Sequence, residues 1–468
     1  MSTSAPPVRR GARTGFLVLG SIEFLTVMDA SVVNIALPVI KDDLGFTGSP
    51  TAWIVNCYLI PFAGMLLLAG RLGDVLGHRR LFLAGTTLFT LASAGCGLAA
   101  EPWQLLAGRT AQGLGAALVV PAALALITAL FTEGASRNRA LAVFGGMGGI
   151  AAPVGLIVGG LLADIGWPLI FWINVPLGVI VLLLARAVLP APAGAPARLD
   201  VVGAAAATGA VGLLAFTAAS LEDPSAATAA PALAGAAFFG TVFVLRQRRA
   251  RHPLIPRALL ESRSVTVGGG IFVLVGTSLL ATFYIVTLYL QDVRGLSPSE
   301  ATLVYVPIPL AMFVGTQLAP RLIAGLAPRN TLALALGIQS VSLAAWALTS
   351  TETGSLTTGL IAPAAPWSFG LGLSIVSSFA ICASGVAGPE AGAASGVATS
   401  AYQGGGAVGL AAVAALAAAA TNHADTANDA AALLAGHHVA MWTLAATAAI
   451  GAALTRALPA APDRVARR

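Results

Sequence analysis

Stretches of about 20 apolar residues, each long enough to cross a bilayer, recur along the whole of this chain with scarcely a charge inside them. A backbone surrounded by lipid must satisfy its own hydrogen bonds, and a helix does so within one segment. The chain is therefore predicted to be an all-α membrane protein that crosses the bilayer many times. Composition agrees, since 57% of its 468 residues are hydrophobic, 9% are charged and the mean hydropathy is +0.87. A soluble domain carries about 25% charged residues. Fourteen helices are placed at roughly 15–40, 52–70, 81–99, 104–130, 140–162, 168–189, 201–221, 226–245, 264–290, 299–320, 331–349, 358–381, 392–420 and 436–456. Short connections and two tails remain, which excludes a sizeable water-soluble domain and most soluble enzyme architectures. Cys57, Cys96 and Cys382 have no CxxC spacing, so neither a disulfide framework nor a metal cage is expected. His252, His423, His437 and His438 fall in loops or at helix ends and form no catalytic constellation. Residues 1–14 are basic and contain proline, but the first helix is full length and reads as a retained span.

The net charge of +6 raises the question of a nucleic-acid partner, and its distribution answers it. With the connections assigned alternately to two faces, one face holds 22 of the 25 Lys and Arg residues. The other face holds only Lys41 and Arg294, and Arg109 is left inside a helix. By the positive-inside rule both tails are cytoplasmic and the helix count is even. The basic charge is a topology signal, and no nucleic acid is implied. One lysine against 24 arginines, in a chain rich in Ala and Gly, fits a GC-rich bacterial genome and hence a bacterial cytoplasmic membrane.

An internal repeat sharpens the architecture. Arg71-Leu72-Gly73-Asp74-Val75-Leu76-Gly77-His78-Arg79 and Arg321-Leu322-Ile323-Ala324-Gly325-Leu326-Ala327-Pro328-Arg329 share Arg, Leu, Leu and Arg at a constant offset of 250. The same offset aligns Gly45-Phe46-Thr47 with Gly295-Leu296-Ser297. The expected arrangement is two six-helix bundles, 15–189 and 264–456, separated by a 190–263 segment with two inserted helices. That segment opens with a Pro/Ala linker and ends in a basic cytoplasmic loop, and the chain is closed by tails at 1–14 and 457–468. Parallel repeats of this kind are a transporter architecture with the substrate site between the halves near the midplane.

Among 19 acidic residues, only Glu23 and Asp29 fall well inside a predicted span, both in the first helix. A carboxylate at the bilayer centre costs about 2.5–3.5 kcal/mol on insertion scales, so each must face a cavity or a partner. A carboxyl whose surroundings alternate between dry and cationic can gain and lose a proton, which is what proton coupling needs. Arg109, the only base deep in a helix, is the candidate partner of Asp29; the alternative is a static ion pair that fixes two helices. Glu23 lies about 120° around the helix from Asp29, so the two need not share a cavity. It can serve a cationic substrate or a second proton, or be a solvated carboxyl near the inner mouth.

Elsewhere the interior is Ala, Gly, Leu and Val with sparse polar points, of which Asn34, Tyr58, Gln112, Tyr402 and Gln403 are taken as substrate-cavity residues. Such a cavity suits a hydrophobic ligand. A sugar or amino acid would need a denser set of hydrogen-bonding groups. Pro153, Gly155, Gly159 and Gly160 in the fifth helix serve close packing or a hinge. Asp74, Arg79 and Arg80, with Gly70 and Gly77, are expected in a tight cytoplasmic turn, where the bland reading is a positive-inside anchor.

Four stretches carry a family resemblance. The first helix ends Met28-Asp29-Ala30-Ser31-Val32-Val33-Asn34-Ile35-Ala36-Leu37-Pro38, and the next connection is Gly70-Arg71-Leu72-Gly73-Asp74-Val75-Leu76-Gly77-His78-Arg79-Arg80. The fourth helix has Arg109-Thr110-Ala111-Gln112-Gly113-Leu114-Gly115, and the sixth Phe171-Trp172-Ile173-Asn174-Val175-Pro176-Leu177-Gly178. Together these resemble the fourteen-helix drug:proton antiporters of the major facilitator superfamily, from the first helix to the last. The chain departs from that pattern at Gly155-Leu156-Ile157-Val158-Gly159-Gly160, where the family has Gly-Pro-x-x-Gly-Gly, and at Trp167-Pro168-Leu169, where it has Trp-Arg-Trp. At Glu23 the resembling sequences often carry glutamine.

The resemblance implies a major facilitator fold working by alternating access. Together with the buried carboxyls, it points to proton coupling through Asp29 and Arg109, with Glu23, where the family often has glutamine, as a further candidate read from its own burial, and to a cytoplasmic gate of Asp74, Arg79, Arg80, Gly70 and Gly77. The expected function is proton-coupled efflux of a hydrophobic small molecule such as an antibiotic or other drug. No cofactor is expected beyond the proton gradient. The expected partners are the substrate, protons and the lipid bilayer, for a protein acting as a monomer. The alternatives are a proton-coupled symporter or facilitator for a nutrient, and a non-transporting membrane protein.

Overall fold

A computed structural model describes residues 10–46, 52–131, 135–190, 200–220, 228–250, 253–384, 391–424 and 428–459. Among these residues all regular structure is helical, in fourteen long stretches. They are α1 (Arg10–Leu44), α2 (Ala52–Leu76), α3 (His78–Gly97), α4 (Pro102–Leu130), α5 (Ala135–Gly166), α6 (Leu169–Val188) and α7 (Val201–Ser220). The series continues with α8 (Ala229–Arg249), α9 (Arg263–Val293), α10 (Pro298–Leu326), α11 (Pro328–Thr349), α12 (Thr357–Ser384), α13 (Ala391–Asn422) and α14 (Asp429–Ala457). Among the described residues, eleven helices are long and apolar enough to cross a membrane, and α2, which is bent, makes a twelfth when counted as one span. The apolar side chains of Leu91, Ile165, Leu303, Val341 and Leu348 are each at least 66% exposed, an outer surface fit for lipid rather than water.

The expected turn after the second helix is shorter than the sequence suggests. Residues Arg71–Leu76 continue α2, and Arg321–Leu326 continue α10, so Asp74 sits on the last helical turn and Arg79 and Arg80 on the first turn of α3. Glycine weakens a helix by about 1 kcal/mol without ending it, and the His78 ring packs over Gly73 where a Cβ would otherwise stand. The turn is the single residue Gly77, with φ 91°. Its N–H closes α2 on the Gly73 carbonyl at 2.9 Å, and its carbonyl accepts from Leu81 at 3.1 Å to open α3.

The repeat reappears in the backbone. The described residues with positive φ are Gly45 (64°), Gly77 (91°), Gly295 (66°) and Ala327 (68°), which pair at the offset of 250 noted in the sequence. Both halves thus use the same two chain reversals, one before and one after the corresponding helices α2 and α10.

Within each half the helices pack as a bundle: α1 on α5, α3 on α4 and α2 on α4, then α9 on α13, α11 on α12 and α10 on α12. The inserted α7 lies against α2, α13 and α8, bridging the two halves on one side. Asp200 starts α7 by accepting from the Gly203 N–H, and its carboxylate pairs with Arg246 of α8 at 2.9 Å. Arg79 at the start of α3 donates to the Arg186 carbonyl at the end of α6, so these arginine-bearing helix ends meet on one face.

The two halves join on the opposite face. Gln291 of α9 donates to the Ile35 carbonyl of α1 at 2.8 Å, and Thr302 of α10 donates to the Leu156 carbonyl of α5 at 3.2 Å. One buried apolar cluster there runs from Val32–Ile40 through Phe171 into α9–α14. Toward the arginine-rich face, the first half has a separate cluster of its own, including Leu19, Ile22, Phe82, Leu126 and Phe144. The described hydrogen bonds between the halves thus lie on the face opposite the arginines.

Ala327 provides a test of the repeated turn. With φ 68° and ψ 155° it holds a conformation natural to glycine and strained for a residue with a Cβ. Ala327→Gly should raise the stability of the detergent-purified protein by about 1 kcal/mol, strain relief outweighing the added unfolded-state entropy. Thermal unfolding measures it, and a lowered midpoint would count against the strain.

Candidate functional site

Asp29 is the centre of the most developed polar cluster in the first half. Its side chain is wholly buried on α1 and its Oδ2 accepts from the Arg109 guanidinium of α4 at 2.6 Å; Arg109 is 1% exposed. Gln112 stands three residues beyond Arg109, on the same face of α4. It donates to Asp29 Oδ1 at 3.1 Å and to Ser93 Oγ of α3 at 2.8 Å, while its Oε1 accepts from Arg109 at 2.8 Å and from the Cys96 thiol at 3.5 Å. Asn174 of α6 completes the set with a 2.6 Å hydrogen bond from Nδ2 to Asp29 Oδ1. Arg109 also donates to the Ile54 carbonyl of α2 at 3.2 Å, and its guanidinium carbon lies 4.5 Å from the Tyr58 ring centroid. Two charges in a dry interior hold together only when the pairing geometry is good and the remaining lone pairs and protons are matched. Five of the six helices of the first half supply those matches.

The close approach of these helices rests on small residues. A Cβ on Gly155 would stand 2.7 Å from the Met28 carbonyl, next to Asp29, and one on Gly159 would meet Val32 and Ile35 at 2.8 Å. Gly160 faces the other half, where a Cβ would press into Thr302 and lie 2.9 Å from the Pro298 carbonyl. These glycines therefore set both the α1–α5 contact and the α5–α10 closure. Pro153 lies in α5, and its side chain is outside the described residues.

The remaining sequence candidates distribute as follows. Gln112 belongs to the ion-pair network, and Tyr58 faces Arg109 and donates from its hydroxyl to the Thr26 carbonyl at 3.5 Å. Asn34 turns back on its own helix and donates to the Ala30 carbonyl at 2.9 Å. Tyr402 packs its ring 4.8 Å from Phe272 in the second half, and Gln403 beside it is half-buried. Glu23 is half-buried, and its Oε2 is enclosed without a hydrogen-bond partner. It lies six residues, about 9 Å along α1, from Asp29 on the side of the arginine-rich face. Asp74 pairs with His78 one turn on at 3.3 Å and is half exposed; Arg79 reaches Arg186, and Arg80 is exposed. In this conformation those contacts of Asp74 and Arg79 stay within the first half, and a Cβ on Gly70 would meet open space.

Three contributors escaped the sequence reading. Asn174 lies within a quoted motif but was given no role, Ser93 is one of several hydroxyl residues of α3 with Thr86, Thr87 and Thr90, and nothing in their spacing points at Asp29. Gln291 was one of several interior glutamines until the fold carried it to Ile35. Among the described residues no group of three or more His, Cys, Asp or Glu side chains is arranged to hold a metal.

Removing one partner of a buried pair leaves an uncompensated charge, at a cost of about 3–5 kcal/mol. Arg109→Met should therefore lower thermal stability at mildly alkaline pH more than the double variant Asp29→Asn with Arg109→Met. Equal midpoints for the two would show that the lone carboxylate is matched by Gln112 and Asn174 alone.

The family described as Major Facilitator Superfamily matches residues 19–410. The cephamycin export protein CmcT of Amycolatopsis lactamdurans is 36% identical over 408 residues, 86% of this chain and 84% of its own length. The puromycin resistance protein pur8 of Streptomyces alboniger is 36% identical, covering 85% and 80%, and the lincomycin resistance protein of Streptomyces lincolnensis 34%, covering 84% and 82%. Among solved structures, the nucleoside transporter NupG superposes with a TM-score of 0.66 at 12% identity, over 95% of this chain and 99% of its own, which speaks to the fold alone. With that family match spanning most of its length, the chain belongs to the major facilitator superfamily, as a multi-pass membrane transporter of small molecules and not an enzyme.

Proposed function

We propose that the protein exports a hydrophobic small molecule, an antibiotic or other drug, in exchange for protons. The observation that carries the proton part is the buried Asp29–Arg109 pair, an ionisable carboxyl held inside one moving half. An intramembrane carboxylate of this kind is a functional site by default, with Arg109 as the cation that alternately holds and releases it. The export direction is supported by the names of the relatives, which denote export of cephamycin and resistance to puromycin and lincomycin.

The helices make fourteen spans with both tails in the cytoplasm, a reading supported by the placement of 22 of 25 basic residues on the terminal face. The arginine-rich face is then cytoplasmic, and a state opened on that face receives substrate from within the cell. Six-helix bundles at 15–189 and 264–456 rock against each other, while the 190–263 segment straps one side through α7. In the opposite state the Asp74, Arg79 and Arg80 cluster, with its Gly70 and Gly77 hinge, closes the cytoplasmic side. The protein works as a monomer in a bacterial cytoplasmic membrane, with the proton gradient as driving force and no further cofactor.

Glu23 stands apart from the pair, with an enclosed oxygen that meets no donor. It offers a subsite for the cationic part of a substrate, with the aromatic ring of Tyr58 nearby, or a second proton site.

Inside-out vesicles holding an imposed pH gradient test the exchange. A panel of cephalosporins, puromycin, lincomycin and lipophilic cations should contain compounds that collapse the gradient in the wild type and leave it intact in Asp29→Asn. A compound equally effective in both proteins would remove Asp29 from the coupling. Uptake of substrate together with protons would replace export by symport. Glu23→Gln should weaken the action of cationic compounds by about tenfold, the worth of one charged contact, and leave neutral ones unchanged; equal loss for both kinds would assign Glu23 to the proton instead.

A further inference from the structure

We propose that Asn174 is the positioning residue that lets Asp29 change protonation state, by turning its side-chain amide so that it donates to the carboxylate and accepts from the carboxylic acid. This rests on the reading of Asp29 as the proton-coupling group.

A carboxylate accepts hydrogen bonds, whereas a carboxylic acid must also donate one. Asp29 is surrounded by donors: Arg109 on Oδ2, and Gln112 and Asn174 on Oδ1. A proton arriving on that carboxyl meets N–H groups, and one of the three partners has to become an acceptor. Arg109 has no acceptor to offer. Gln112 has one, but its Oε1 already accepts from Arg109 and Cys96 and its Nε2 also donates to Ser93. Turning that amide would set N–H against the guanidinium and leave Ser93 without its donor.

Asn174 is free of such ties. Its side chain is wholly buried, Nδ2 donates to Asp29, and Oδ1 is enclosed with no hydrogen-bond partner. A buried amide oxygen left unpaired is uncommon in a folded protein and calls for an explanation. Half a turn about the Cβ–Cγ bond exchanges the two atoms, and Oδ1 then accepts the new O–H of Asp29. One amide atom is unpaired before the turn and one after it, so the exchange needs no net loss of a hydrogen bond. The proton comes from water on the open side of the transporter and returns to water when Asp29 ionises again.

The other ionisable groups around Asp29 do not substitute for this amide. Helix α4 brings Arg109, α2 brings Tyr58 under the guanidinium, α3 brings Cys96, whose thiol is turned to Gln112, and α5 presents Gly155. Glu23 is on the same helix, six residues away. Asn174 also stands where the hydrogen-bond ladder of α6 misses a rung, since Pro176, two residues on, has no N–H to offer the Trp172 carbonyl.

Infrared difference spectra of the purified protein between acid and alkaline pH, with 13C-labelled asparagine, test the proposal directly. The wild type should show a carboxylic-acid band, absent in Asp29→Asn, and an asparagine carbonyl band that moves over the same pH range. The second band should vanish in Asn174→Gln and stay still in Asp29→Asn. In Asn174→Leu, which keeps the volume and removes both donor and acceptor, the frequency of the Asp29 carboxylic-acid band should shift, because its O–H has lost the amide acceptor. An Asp29 band of wild-type frequency in Asn174→Leu, with no asparagine carbonyl moving in the wild type, would overturn the role of Asn174 and leave proton coupling intact. If no band depends on Asp29, the coupling reading itself fails and takes this one with it. Because the label reports on the wild-type chain, a poorly folded Asn174→Leu leaves the asparagine carbonyl band as the deciding result.

Discussion

A carboxylate in the middle of a helical bundle has to be neutralised and hydrogen-bonded where it stands, because neither lipid nor a packed interior will solvate it. Asp29 meets that demand with Arg109, Gln112 and Asn174, and the arrangement of the first half follows from it. Five helices must approach one point to bring together the carboxylate, its donors, the aromatic face and the carbonyl that receives the Nε proton of the guanidinium. They can do so because small residues line the approach: a Cβ on Gly115 of α4 would stand 2.7 Å from the Phe89 nitrogen of α3, and behind them Gly155 lets α5 rest on the Met28 carbonyl next to Asp29. A larger side chain there would push α1 away from its partners and leave a charge unmatched.

The same economy of small residues serves the closure between the halves. Gly160 admits Thr302 and the Pro298 carbonyl, and Thr302 in turn donates to the Leu156 carbonyl one helical turn away. With Gln291 on Ile35, these contacts depend on backbone carbonyls and carry no charge. Contacts of that kind separate without leaving an ion behind in a dry interface, which suits a seam that must open and close. The charged pair, by contrast, lies within one half and need not break for the halves to part.

The inserted pair is tied differently. Asp200 and Arg246 join α7 to α8 at their arginine-rich ends, and α7 rests on both α2 and α13. Close packing at Gly64 against Thr208 and at Gly404 near Val211 shows how it enters the groove between the halves without displacing either. Small Ala and Gly side chains on α7 let it lie against both halves at once.

Much of this was legible in the chain itself. Apolar length gives helices that cross the membrane, because lipid allows little else. An offset of 250 between two short motifs fixes the duplication, and it returns as matched positive-φ residues at Gly45 and Gly295 and at Gly77 and Ala327. Asp29 and Arg109 stand out because charge inside a span is costly wherever the partner is. What the chain alone does not decide is which uncharged polar residues join them. Gln112 and Asn34 read alike as cavity residues, yet one completes the ion-pair network and the other bonds only to its own helix at Ala30. Asn174 is 145 residues from Asp29, and only the packing of α6 against α1 brings its amide within 2.6 Å. Burial is a cost that each residue carries in the sequence, whereas a hydrogen bond needs two atoms in one place, and that is settled only when the helices have packed.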